Sequence, residues 1–141
     1  MLLFSLFFIT SGCSVHYSKP DKKVPVSSGS STWRALEILG TKASFLPGQK
    51  IDVHFVLHKG DRRVSGSTGC NNFSGFYTRK GNRLSFHSLG TTYMACSPRI
   101  MAQERRFLQA MESVASYRLA GHRLTLFDRN GKRVMMLIRV Q

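Results

Sequence analysis

Three cysteines are the most reactive side chains of this 141-residue chain. Cys13 follows a short apolar run, whereas Cys70 and Cys96 lie in the body of the sequence. A nucleophilic cysteine needs a neighbouring base with an orienting partner, and no histidine lies in the segments around Cys70 and Cys96. An even pair in an oxidising compartment instead predicts a disulfide. We therefore expect Cys70 and Cys96 to form a bridge that ties a strand to the start of a helix.

Two histidines on one predicted strand are the remaining candidates for metal binding. His54 and His58 are two alternations apart, or roughly 13 Å at the rise of a strand, which is too far to hold one ion. No spacing in the chain is that of a zinc site. We interpret them as exposed strand histidines and expect neither a metal nor a cofactor.

One carboxylate falls on the apolar face of a predicted helix. Ser97 and Pro98 are suited to an N-cap and a first turn. Apolar residues then recur at helical spacing: Ile100, Phe107, Leu108, Met111, Val114 and Ala115. A helical projection at about 100° per residue places Glu104 in the sector of these apolar residues. Burying a carboxylate there without partners would cost several kcal/mol. We predict hydrogen bonds from backbone amides, threonine hydroxyls or a basic side chain; the alternative is a slightly rotated helix that lets Glu104 reach water.

Glu104 and four other polar residues form a candidate cluster, either binding or structural: Asn71, Asn72, Thr91, Thr92 and Glu104. The asparagines lie in a glycine-flanked turn, where their side chains can satisfy backbone groups. A hydrolase could be built on this set, but glycosidase chemistry generally needs two carboxylates. We therefore predict no catalytic residue.

The elements that position these residues are mostly short strands separated by Gly, Asn and charged turns. This pattern predicts a mainly β (α+β) fold, a small antiparallel, barrel-like sheet of about eight strands with one amphipathic helix. In the second strand Ile51, Val53, Phe55 and Leu57 are expected on the buried face. The predicted strands are Trp33–Leu39, Ile51–His58, Arg63–Ser67, Phe73–Arg79, Arg83–His87, Tyr117–Ala120, Arg123–Asp128 and Arg133–Val140.

The start of the chain is typical of an exported lipoprotein. Residues 1–12 are apolar but too short to span a bilayer, and they end in Thr10-Ser11-Gly12 before Cys13. The leader is irregular because no Lys or Arg precedes it and Thr10 stands where such sites usually carry Leu, so a chance cysteine is the alternative. Residues 13–31 have the composition of a flexible tether, and residues 32–141 form one domain. Ser14 after the cysteine favours sorting to the outer membrane, facing the periplasm.

The formal net charge of +14 indicates anionic partners, which include anionic lipid, lipopolysaccharide and an acidic envelope protein. Export argues against nucleic acid, and no RNA-binding signature is present. A soluble surface with a general positive bias is an equally good interpretation.

Several segments together resemble the META domain of the heat-shock protein HslJ family. They are Trp33 with Leu36, Gly66, Gly69-Cys70-Asn71-Asn72-Phe73-Ser74-Gly75-Phe76-Tyr77, Thr91-Thr92-Tyr93-Met94-Ala95-Cys96, Glu104 with Phe107-Leu108, and Leu124-Thr125-Leu126-Phe127-Asp128 with Gly131. The resemblance covers about residues 32–141 and implies a small β-rich domain of envelope lipoproteins linked to heat or antibiotic stress. It also implies a shape similar to that of pilotin lipoproteins, and no known enzymatic activity.

Three functions follow as hypotheses. The first is a non-catalytic binding or stress-protection module at the outer membrane. The second is a pilotin-like or assembly chaperone that binds a peptide of an envelope partner. The third is a periplasmic hydrolase that uses Glu104.

Overall fold

The computed structural model describes residues 30–140. Cys13, the predicted leader and residues 13–29 of the predicted tether lie outside this part of the chain. The described chain folds into nine strands and one helix: β1 (Ser31–Ile38), β2 (Thr41–Lys42), β3 (His54–Leu57), β4 (Arg63–Ser67), β5 (Asn72–Lys80), β6 (Arg83–Thr91), α1 (Pro98–Ser113), β7 (Ser116–Ala120), β8 (Arg123–Phe127) and β9 (Arg133–Val140).

The strands form one antiparallel sheet whose hydrogen bonds run in a ring. Eight strands follow the order β1-β3-β4-β5-β6-β7-β8-β9, and β9 pairs back onto β1. The ninth, β2, pairs only with the end of β1. β6 and β7 share a single register pair, Arg83 with Ser116, so the ring is not a regular barrel. The mainly β fold with one helix is confirmed, and the eight predicted strands correspond to the eight of the ring.

Alternation along the strands explains the core. Trp33 on β1, Phe55 on β3 and Leu126 on β8 are all buried, because every second side chain of a strand points to the same face. The helix packs against β1, β6 and β9 and adds Phe107 and Met111 to the same core. The helix thus closes the core on the side of β1, β6 and β9.

Two local expectations were wrong, those for Ile51 and Ala115, and the one for Ser97 is confirmed in position only. Ile51 is 48% exposed, because β3 begins only at His54 and the residues before it form a loop. Ser97 stands at the N-cap position, but its side chain makes no capping hydrogen bond. Ala115 lies beyond the helix, which ends at Ser113, so it belongs to the link into β7.

The two histidines are half-buried and hydrogen-bonded, which also differs from the prediction of exposed rings. A nitrogen of the His54 ring lies 2.8 Å from the carbonyl oxygen of Asp52. A nitrogen of the His58 ring lies 2.8 Å from Ser65 Oγ. Across residues 30–140, no three His, Cys, Asp or Glu residues are grouped closely enough to hold a metal ion.

Antiparallel pairing sends successive connections to opposite ends of the ring. The tether end, as we call it, holds Ser30 and the turns at 58–62, 81–82 and 121–122. The cleft end holds the connections at 43–53, 68–71, 92–97 and 128–132. Within the described part of the chain, α1 is too short and too polar to cross a membrane.

Candidate functional site

Glu104 is the centre of a sealed polar cluster at the cleft end. Its side chain is buried together with Thr68 and Asn71, so of the two alternatives the one with a water-exposed Glu104 is wrong. The Thr68 hydroxyl donates to Glu104 Oε2, and Asn71 Nδ2 lies 3.0 and 3.2 Å from the two carboxylate oxygens. The expected threonine donor is therefore present, and an asparagine amide replaces the expected backbone or basic donor.

Asn71 extends the cluster to the segment before the helix. Its Oδ1 accepts hydrogen bonds from the hydroxyl of Thr92 at 3.0 Å and from the backbone N–H of Met94 at 2.7 Å. Its Nδ2 also lies 3.3 Å from the carbonyl oxygen of Met94. One side chain thus joins the β4–β5 turn, helix α1 and residues 92–94.

The β4–β5 turn itself is shaped by glycine and threonine. Gly69 has φ +89°, a conformation that disfavours other residues. The Thr68 hydroxyl oxygen accepts the backbone N–H of Asn71 at 2.8 Å. This local geometry explains why Thr68 and Asn71, three positions apart, can both reach one carboxylate.

A disulfide reinforces the same junction. Cys70 and Cys96 are bonded, with their Cα atoms 6.0 Å apart. Cys70 follows Gly69 in the turn, and Cys96 lies two residues before α1. The bridge therefore holds residues 92–97 against the β4–β5 turn, and ties a strand connection to the start of the helix.

A second buried polar network holds the loop at 43–53. Gln103, which is buried, pairs with the backbone of Ser44: Ser44 N–H donates to Gln103 Oε1 at 3.0 Å, and Gln103 Nε2 donates to the Ser44 carbonyl at 2.9 Å. Gln49, also buried, accepts the Leu46 N–H at 3.1 Å and donates to the Ile51 carbonyl at 2.7 Å. This loop is therefore packed against α1.

Between these two fastened segments lies an open cleft of about 410 Å³. Its lining is a mixture of apolar and small polar residues together with the disulfide: Pro47, Gly48, Lys50, Ile51, Ser67, Gly69, Cys70, Asn72, Met94, Ala95, Cys96, Ser97 and Ile100. Lys50 is the one charged residue in that lining.

Large apolar side chains lie exposed on the segments that form the cleft. Phe45 and Ile51 come from the 43–53 loop, and Tyr93 and Met94 come from the segment before the helix. Tyr93 is 99% exposed and Met94 55%. A cluster of exposed apolar side chains around a concavity is typical of an interaction site.

The structure brings together only part of the predicted polar set. Asn71, Thr92 and Glu104 are connected by side-chain hydrogen bonds. Asn72 is exposed and lines the cleft, while Thr91 ends β6 opposite Phe73 outside the hydrogen-bonded cluster.

Sequence reasoning missed Thr68, Gln49 and Gln103. Gln103 had a signal, because it lies three residues after Ile100 and four before Phe107 and so shares their buried face. Thr68 and Gln49 had none, since both are in connections without periodicity.

Comparisons with known proteins agree with this architecture. A model of the META domain family, described as "META domain", matches residues 27–141. A solved protein from Burkholderia xenovorans, studied by NMR, is similar in fold with a TM-score of 0.60 and 22% identity, covering 96% of this chain and 99% of its own. A second NMR structure has a TM-score of 0.60 at 20% identity, covering 77% of this chain and 87% of its own.

A crystal structure of a DUF4847 family protein from Bacteroides vulgatus also shares the fold. Its TM-score is 0.54 at 15% identity, with 76% of this chain and 90% of its own covered. No curated protein is significantly similar to the chain.

Proposed function

Because the chain belongs to the META domain family, we propose that it is a non-catalytic, stress-related binding module of the bacterial envelope, held at the outer membrane by a lipid on Cys13. The observation that carries the binding role is the cleft. Its two walls are fixed by the disulfide and by the hydrogen bonds of the buried Gln103 side chain, so the site is organised before a ligand arrives, which reduces the cost of binding.

The cleft suits an extended apolar segment that carries a negative charge. Apolar contacts are available from Ile51 and Met94, and Lys50 supplies the charge in the lining. The carboxylate of Glu104, the acidic member of the polar cluster, is buried and already hydrogen-bonded to Thr68 and Asn71. An anionic ligand would therefore meet attraction at Lys50.

A defined probe tests the cleft. Anilinonaphthalene sulfonate combines an aromatic body with one negative charge, and we expect its fluorescence to rise when the full chain binds it. Lys50→Glu should weaken this binding at least about tenfold, the equivalent of roughly 1.4 kcal/mol. Lys59→Glu, an equal charge change in a turn at the other end of the ring, should leave it unaltered; equal losses in both variants would contradict the cleft assignment.

The proposed anchor has a separate test. Labelled palmitate should enter the protein in a bacterial host, and Cys13→Ala should abolish labelling and release the protein from the outer-membrane fraction. A protein that takes up no palmitate and keeps its location after Cys13→Ala would refute the anchor without affecting the cleft.

A pilotin-like or assembly-chaperone role is the second candidate, and the exposed side chains of Tyr93 and Met94 favour it. A peptide of an envelope partner could lie across these residues. A photoreactive amino acid at Tyr93 should then crosslink to one envelope polypeptide, whereas the same group at Phe76, on the side wall, should not. Crosslinks to lipid alone would count against this role.

Glu104 is not proposed as a catalytic acid or base. Both its oxygens accept hydrogen bonds from protein side chains, and its role in the proposal is to position residues 92–94 through Asn71. Turnover of an envelope glycan that is lost in Glu104→Gln, with folding intact, would restore the hydrolase hypothesis.

A further inference from the structure

Five basic side chains lie at the tether end of the ring, on three of its turns. The turn at 58–62 contributes Lys59 and Arg62, the β5–β6 hairpin contributes Lys80 and Arg83, and the start of β8 contributes Arg123. All five are exposed. Arg63, beside them, forms an ion pair with Asp61 at 3.7 Å, and Asp61 is the one acidic residue of these three turns.

Buried tyrosines hold two of these turns in place. The Tyr77 hydroxyl donates to the His58 carbonyl at 3.1 Å, and the Tyr77 N–H donates to the Arg62 carbonyl at 2.9 Å. The Tyr117 hydroxyl donates to the Gly81 carbonyl at 2.8 Å. The basic turns are therefore fixed parts of the ring and present their charges as one surface.

This end is poor in exposed apolar surface. Of the large apolar side chains exposed within residues 30–140, Val140 lies at the tether end, and Phe76 lies on the side wall, where it stacks on His87. Four others, including Tyr93, belong to the cleft end. A protein interface normally has an apolar core inside a polar rim, so the tether end is better suited to a charged, solvated partner.

We infer that the tether end is a docking surface for an anionic phospholipid membrane. The described chain begins at this end with Ser30, and the residues before it are the proposed tether, which contains Lys19, Lys22 and Lys23. Basic clusters next to a membrane anchor are attracted to anionic headgroups. Docking in this way points the cleft away from the bilayer. This orientation rests on the proposed anchor, whereas the lipid contact itself does not.

The opposing charges on this side are few. The last turn of α1, which leads to Ala115 beside Leu84, carries Glu112. Asp61 is paired with Arg63, so the five basic residues of the turns outnumber the acidic residues on this side. The surface should therefore retain a positive potential.

The experiment compares two variants of equal net charge. In the full chain with Cys13→Ser, the tether-end variant carries Lys59→Gln, Arg62→Gln, Lys80→Gln, Arg83→Gln and Arg123→Gln. The matched cleft-end variant, which spares Lys50, carries Lys42→Gln, Arg99→Gln, Arg129→Gln and Lys132→Gln, with Arg105→Gln in the middle of α1 as the fifth change. Sedimentation with phosphatidylcholine vesicles, with and without phosphatidylglycerol, measures membrane binding, and circular dichroism verifies folding.

We expect phosphatidylglycerol to increase binding of the parent protein, and moderate salt to reverse the increase. The tether-end variant should bind vesicles with phosphatidylglycerol at least about tenfold more weakly than the parent protein. The reason is that each basic residue near an anionic surface strengthens binding about fivefold. The cleft-end variant should keep most of the increase that phosphatidylglycerol gives. The apolar, uncharged leader contributes equally to both kinds of vesicle, so the difference between them reports the basic surface.

Three outcomes would overturn the inference. Equal losses in both variants would show a general positive bias without a docking surface. No response to phosphatidylglycerol would exclude the lipid contact, even if palmitate labelling confirms the anchor. If the tether-end changes weaken binding to soluble polyglutamate more than binding to vesicles, the surface would be assigned to an acidic protein.

Discussion

At the scale of single residues, Glu104 shows how neutral hydrogen-bond donors can hold a buried carboxylate. Its oxygens are met by the hydroxyl of Thr68 and the amide of Asn71, and Asn71 uses its own oxygen to accept from Thr92 and Met94. Hydrogen bonds to a charged group are stronger than those between neutral groups. The cluster therefore offsets the cost of burying Glu104 while connecting three parts of the chain.

The first prediction concerns this carboxylate. Glu104→Gln replaces one acceptor oxygen by an N–H₂ donor, which faces the donors of Thr68 and Asn71. We expect the free energy of unfolding to fall by about 2–3 kcal/mol, measured by urea denaturation. Glu112→Gln, on the exposed side of the same helix, should change it by less than about 0.5 kcal/mol; similar effects of both would mean that Glu104 is not engaged as described.

At the scale of elements, the helix acts as the support to which two connections are fastened. Glu104 holds the β4–β5 turn, and the neighbouring Gln103 holds the 43–53 loop through Ser44, 59 residues away in sequence. Gly66 on β4 has a comparable tertiary reason: a Cβ at this position would lie 2.1 Å from the His54 carbonyl oxygen. Glycine thus permits β4 to approach β3. The helix holds the two connections that strand pairing does not fix.

The second prediction tests the loop attachment. Gln103→Ala empties the site of a buried side chain and removes both of its hydrogen bonds to the backbone of Ser44, so we expect a loss of about 1–3 kcal/mol in the free energy of unfolding. Hydrogen exchange at the Ser44 amide should accelerate more than exchange in β8. Gln109→Ala, at an exposed position of the same helix, provides the control and should alter neither measurement. Unchanged exchange at Ser44 in Gln103→Ala would contradict the attachment.

At the scale of the whole molecule, the ring is closed unevenly. β9 pairs with β1 at six positions, whereas β6 and β7 pair at one. The helix packs against β1, β6 and β9, and the disulfide holds the chain two residues before its start. Removing the bridge should therefore affect the stability of the entire domain.

The third prediction concerns that bridge. It closes a loop with a sequence separation of 26, for which chain entropy gives about 3.5 kcal/mol of stabilisation. Reduced wild-type protein and the double variant Cys70→Ser with Cys96→Ser should both have a free energy of unfolding that is lower by about this amount. Both should therefore unfold at a lower urea concentration. Reductant should have no further effect on the double variant. An unchanged urea midpoint after verified reduction of the wild type would contradict the prediction.

The sequence by itself determined the elements and several of their key residues. Alternating apolar positions and turn residues predicted strands close to β1 and to β3 through β9. Helical spacing identified α1 and placed Glu104 in its apolar sector, because these patterns repeat within a few residues. Tertiary structure decided the rest. The choice of Thr68 as the partner of Glu104, the loop held by Gln103, and the cleft all depend on contacts between distant segments, which no local pattern specifies. The placement of the three basic turns at the same end as Ser30 likewise follows from the order in which the strands pair.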